Sequence, residues 1–187
     1  MSLHEELLEQ ARDLAALDPR RPKQGNLRRA VSSAYYAVFH LLVHEASTSL
    51  VGAALAGASA EINHGVRRWF DHGTMKKAAQ WFQGRDAPPA LNGMFRPGPG
   101  GGPQRFVATL ISAELRAVVD AFIDLQEQRH IADYDLSAQR FTRQGTLVHV
   151  QRAEQAFADW TTARGADPFV ELFLLLLLTG DRVLKAR

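Results

Sequence analysis

Apolar residues recur along this chain at the spacing of one helix face, and no stretch alternates convincingly as a strand would. Ser2 with Glu5 makes a capping-box pattern, and Leu3, Leu7, Leu8, Ala11, Leu14 and Ala15 follow as an apolar stripe. Asp18-Pro19 should stop that helix, because the residue before a proline is pushed out of the α region. Asn26 is a favoured N-cap for a second helix with the stripe Leu27, Ala30, Val31, Ala34, Tyr35, Val38, Phe39 and Leu42. That helix should run to about Leu50, before Gly52 and Gly57 loosen the pattern.

A shorter segment from His64 to Phe82, broken near Gly73, carries Val66, Trp69, Phe70, Met75, Ala78, Ala79 and Phe82. A long helix is predicted from Phe106, Leu110, Ile111, Leu115, Val118, Val119, Phe122 and Ile123, ending around Ala132 to Asp135. Thr142 is placed to cap the next helix, with Leu147, Val150, Ala153, Phe157 and Trp160 on its inner face. Asp167-Pro168 then puts a cap and an N1 proline in their favoured order before a last helix. The pattern predicts an all-α bundle of four to five main helices plus short ones, in a single domain over residues 1–187. Residues 83–104, with Pro88-Pro89 and the run from Pro97 to Pro103, should lack regular structure. A loop of that length reads more readily as an insertion than as a working part, because closure entropy grows only logarithmically with length.

Composition narrows the chemistry. A 187-residue chain needs no covalent staple, since it can bury about 70% of the surface its unfolded form exposes. Cysteine is absent, which excludes disulfides, thiolate catalysis and cysteine-bound zinc, and agrees with a cytoplasmic setting. The polar, acidic start Met1-Ser-Leu-His-Glu-Glu is unlike a secretory signal. The longest apolar run, Phe173 to Leu178, is far short of the roughly 20 residues a bilayer requires and reads as a core or interface helix. Because that helix is apolar all round, something must cover it, and a second copy of the chain is one candidate.

The net charge of +2 makes no case for nucleic acid on its own. Two clusters, Arg20, Arg21, Lys23, Arg28 and Arg29, then Arg67, Arg68, Lys76 and Lys77, read first as solvated faces. Arginine outnumbers lysine 18 to four, which suits phosphate binding but equally reflects a coding bias.

Three segments carry a resemblance. Leu27-Arg28-Arg29-Ala30-Val31-Ser32-Ser33-Ala34-Tyr35-Tyr36-Ala37-Val38-Phe39-His40 resembles the second helix of HEPN domains. His64-Gly65 with Phe70-Asp71-His72-Gly73 is similar to their histidine-containing middle segment. Gln128-Arg129-His130-Ile131-Ala132-Asp133-Tyr134-Asp135 resembles the Arg-x-x-Ala-Asp-Tyr signature that closes their long helix. The resemblance implies an antiparallel bundle that pairs as a homodimer. Its active members are metal-independent endoribonucleases with an arginine and, four to six residues on, a histidine: one steadies phosphate charge while the other takes the 2′-hydroxyl proton.

This chain departs from that pair. Positions 133–136 hold Asp133, Tyr134, Asp135 and Leu136, and His130 lies about 100° round the helix from Arg129. The resemblance therefore implies a protein that binds RNA or a nucleotide with a degraded ribonuclease motif. The candidates at its core are Arg129, Asp133 and Tyr134, with Arg28, Arg29 and His40 as further ligand-binding residues. The plainer reading of Arg129 and Asp133 is an i,i+4 ion pair. A rival function is a non-catalytic partner of a nucleotidyltransferase in a toxin–antitoxin or defence-like system. An active endoribonuclease stands third.

Arg67 to His72 and Arg143 to His149 fit the arginine–histidine spacing elsewhere, the former more plausibly because it lies in a basic cluster beside His64. His40 and His44 have the spacing of a metal edge, but no third ligand stands at a diagnostic interval, so no metal or other cofactor is expected. Tyr35, Tyr36 and Phe39 could stack on bases, although at helical spacing they read as core. The run from Gly98 to Gly102 lacks the Lys-Ser/Thr of a phosphate loop.

Overall fold

A computed structural model of the chain describes residues 1–52, 59–84, 110–135 and 141–185. The described residues are all-α, in a helical bundle without strands. The helices are α1 (Leu3–Ala16), α2 (Gln24–Gly52), α3 (Ser59–Arg67), α4 (His72–Phe82), α5 (Ala113–Tyr134), α6 (Arg143–Ala166) and α7 (Val170–Lys185). Five are long and two short, as the periodicity predicts. None, among the described residues, is long and apolar enough to cross a membrane. Most of the segment expected to lack regular structure, from residue 85 onward, lies outside the described residues.

The chain groups into two compact units. The first comprises Met1–Leu42 with Ala121–Thr161, and the second Val43–Asp120 with Thr162–Arg187.

In the first unit α1 begins as its capping pattern dictates: the Glu5 carboxylate accepts from the Ser2 backbone N–H at 2.7 Å. That bond, and a second from the Ser2 hydroxyl, hold the Glu5 carboxyl below its usual range. The helix stops before Asp18-Pro19, and Asp18 takes a left-handed φ of 53°. Arg143 fixes the exit by donating to the carbonyls of Ala16, Leu17 and Asp18 at 3.0, 2.6 and 2.8 Å. All eight apolar positions predicted on α2 are buried.

Two boundaries differ from expectation. Helix α2 starts at Gln24, so Asn26 lies inside its first turn, and its side chain donates to Asp18 at 3.3 Å. A tertiary anchor overrides the local cap. The Gln24 amide exchanges two hydrogen bonds with the Phe141 backbone, at 2.8 and 2.9 Å, and so fixes the helix three residues early. On α6, Thr142 caps as expected by accepting from Gly145 N–H at 3.0 Å. Its inner face agrees in part: Val150, Ala153 and Trp160 are buried as expected, joined by Thr146 and Ala156, while Leu147 is exposed.

In the second unit the break between α3 and α4 falls before Asp71 and not at Gly73. Asp71 is the N-cap of α4, its carboxylate accepting from Thr74 N–H at 2.8 Å. Gly84, at a left-handed φ of 85°, follows the end of the same helix. Helix α5 starts at Ala113, later than the Phe106 stripe suggests. Ser112 precedes it and accepts from Leu115 N–H at 3.0 Å. Ser112 N–H in turn donates to Asp167 at 2.6 Å, and the other Asp167 oxygen accepts from Phe169 N–H at 2.7 Å, just ahead of α7. The apolar residues of α7 are covered by α4: the Phe82 and Phe173 rings meet edge-on at 4.9 Å, and Leu174, Leu176 and Leu177 are buried. The chain itself therefore covers much of that helix, although Leu175 is exposed, and the case for a homodimer rests mainly on the resemblance.

Candidate functional site

The C-terminal turn of α5 and the first half of α2 bring five chemically active side chains together within the first unit. Arg129 is the hub. Its Nη2 donates to the Tyr36 hydroxyl at 2.8 Å, and its Nε faces the Asp133 carboxylate at 2.7 Å in an ion pair not aligned as a hydrogen bond. The guanidinium lies 5.4 Å from the Tyr36 ring centre and 5.3 Å from that of Tyr134, within cation–π range of both. Asp133 is held from its other side, its Oδ1 accepting from the Ser32 hydroxyl at 2.5 Å. Ser32 is 1% exposed, and its hydroxyl also has the Arg28 carbonyl within reach at 3.2 Å.

The outer edge of this cluster reaches solvent. Tyr134 is 60% exposed, and exposed His130 packs against it at a ring distance of 5.1 Å. On α2, His40 lies one turn beyond Tyr36, stacked on that ring at 6.3 Å. Tyr35 and Phe39 belong to the core, and burial pushes the Tyr35 hydroxyl well above its ordinary range.

The candidates separate accordingly. Arg129, Asp133, Tyr134 and His40 gather around Tyr36. Arg28 serves the fold: its Nη1 donates to the carbonyls of Ala132 and Asp135 at 3.0 and 2.8 Å, satisfying the end of α5, while the guanidinium rests on the Phe141 ring. Arg29 is exposed on the adjacent position of α2. Sequence reading passed over Ser32 and the hydroxyl of Tyr36. The one signal available for Ser32 is a polar residue on an otherwise apolar stripe.

The arginines of both alternative arginine–histidine spacings are engaged elsewhere. Arg67 donates to His44 Nδ1 at 2.8 Å and to Ser47 at 3.2 Å, while His72 opens α4. Arg143 is committed to the end of α1, and His149 faces Asp124 at 3.9 Å. Burial holds the His149 imidazole below its usual range against the pull of Asp124, and Arg152, 3.2 Å from the same carboxylate, adds to the depression.

No protein-family model matches the chain, and no curated protein or solved structure matches it either. The likeness to HEPN domains thus stands on its three motifs, two of which, on α2 and α5, carry the cluster described above.

Proposed function

We propose that the protein binds single-stranded RNA or a nucleotide at the end of α5, in a binding and not a hydrolytic role. The supporting observation is the guanidinium of Arg129 held between two tyrosine rings, the outer of which is largely open to solvent. Such a sandwich fixes an arginine in one plane, which lowers the ordering cost of meeting a phosphate. The open face of Tyr134 offers a base a stacking surface, worth about 1–3 kcal/mol per base. Exposed His130 extends that surface, and Arg29 supplies a further cation on α2.

The same geometry argues against cleavage. Hydrolysis by the family's route needs an imidazole opposite the arginine. Here Asp133 occupies the facing position, already engaged by Arg129 and Ser32. An incoming phosphate would have to share Arg129 with that carboxylate, so binding should be modest and sensitive to salt.

A second reading has its own support. The contacts that Arg129 makes with Asp133 and Tyr36 also suit a purely structural arginine, which favours a non-catalytic partner of a nucleotidyltransferase. The proposed homodimer is compatible with either reading, and light scattering at micromolar concentration tests it.

Fluorescence anisotropy with a labelled single-stranded RNA distinguishes the two. RNA binding predicts that Arg129→Ala weakens affinity across sequences. The wild-type affinity should fall by roughly 0.7 log unit per neutralised phosphate for each log unit of salt. If neither RNA nor nucleotide binds, and Arg129→Ala alters stability alone, the interaction-partner reading replaces this one.

A further inference from the structure

The α3–α4 corner, in the second unit, exposes the one large aromatic side chain that the core leaves out among the tryptophans. Trp69 is 67% exposed, whereas Trp81 and Trp160 are 6% and 2% exposed. Its position on the apolar stripe predicts burial, and its neighbours Val66 and Phe70 are indeed buried. The two-residue turn after α3 takes Trp69 out of the helical register: Arg68 and Trp69 N–H donate to the carbonyls of Gly65 and Val66 at 3.1 and 3.0 Å. The ring therefore projects where the helix pattern would have tucked it in.

Two cations adjoin it in sequence. Arg67 and Arg68 precede it directly and both are exposed. Arg67 is braced by His44 and Ser47 at the end of α2, so its guanidinium is held in place while remaining open to solvent. Among the described residues, Arg68 makes a long contact with His64, at 3.4 Å. The nearest acid in sequence, Asp71, directs its carboxylate to the start of α4 by capping Thr74.

We propose that this corner is a binding site for single-stranded nucleic acid, with Trp69 stacking on a base and Arg67 and Arg68 meeting the flanking phosphates. An exposed flat ring next to two exposed arginines suits the alternation of base and phosphate along a single strand, and stacking is tolerant of sequence. A membrane surface fits less well. The exposed apolar area here is one ring, with Ile62 the other exposed apolar side chain of α3, too little to hold an interfacial helix of nine residues. The site uses residues of the second unit alone, so it can stand or fall apart from the reading of Arg129.

Tryptophan fluorescence of the whole chain is the test, because the other two tryptophans are buried. Titration with a ten-nucleotide oligouridylate should quench the emission saturably, and added salt should reverse the quench. Trp69→Leu should abolish the quench and weaken binding about five- to a hundredfold. Arg68→Ala should weaken binding and flatten its dependence on salt. Both positions are exposed, and an unchanged thermal transition shows that the fold is intact. Quenching should persist in Arg129→Ala. A parallel oligodeoxythymidylate arm shows whether the sugar matters; a quench by either strand supports the site. No quench by either strand overturns the proposal, as does a blue shift given by phosphatidylserine vesicles alone. Oligouridylate binding that is lost in Arg129→Ala, with Trp69 emission unmoved throughout, leaves the α5 site standing and removes this one.

Discussion

The two units bury different things. In the second, α4 and α7 meet through Phe82, Phe173 and a run of leucines, a seam of apolar surface. In the first, α2 and α5 also share a core, but at its edge a buried hydroxyl meets a partly exposed carboxylate and guanidinium: Ser32, Asp133 and Arg129. Apolar contact is non-directional and roughly additive in area, so the seam serves stability. A polar network stabilises only when every member is satisfied, and it fixes side chains in defined orientations. The contrast teaches where to look for chemistry: at the edge where satisfied charges approach solvent, and not at the better packed interface.

The largest expected effect lies in the seam. Phe82→Ala removes a fully buried ring and should destabilise by about 3–5 kcal/mol, read by chemical denaturation. It should leave ligand binding at Arg129 unchanged. Asp133→Ala should cost less, on the order of 1 kcal/mol, by removing the contacts to Ser32 and Arg129 while the Ser32 hydroxyl keeps the Arg28 carbonyl. Because it also releases Arg129 from its counter-ion, phosphate affinity should be maintained or raised while stability falls. A parallel loss of both would make the pair a structural device and erase the contrast.

Acid should separate the units more gently. Burial holds His149 neutral in the folded chain, so the unfolded chain binds the extra proton first as pH falls. Stability should thus be flat above the ordinary imidazole value of 6.5 and decline below it, levelling off once the folded imidazole also protonates. His149→Gln should flatten that decline in denaturation measured from neutral to acid pH. The smallest expected effect on stability is that of Tyr134→Ala, within about 0.5 kcal/mol, because the ring is 60% exposed.

Legibility in the sequence follows the same division. The stripe of α2 could be read position by position because large apolar side chains mark its buried face. The face of α6 could be read only in part: Val150, Ala153 and Trp160 are buried as the stripe predicts, but so are Thr146 and Ala156, whereas Leu147 points outward. Small or polar residues do not register in a hydrophobic count, so the edges of that face were missed. The start of α2 was hidden for another reason: Gln24 is fixed by Phe141, 117 positions away, and no local pattern reports it. At the candidate site, the Arg129–Asp133 pair was legible from i,i+4 spacing. Its partners Ser32 and Tyr36 were not, since they come from another helix.

The most direct test of the account is the effect of Tyr134→Ala on binding and stability, measured side by side on one preparation. A stacking surface at the end of α5 predicts that affinity for a single-stranded RNA falls by about 1–3 kcal/mol while the denaturation midpoint stays in place. Unchanged affinity with an unchanged midpoint would contradict it, because the open face of Tyr134 would then meet no ligand.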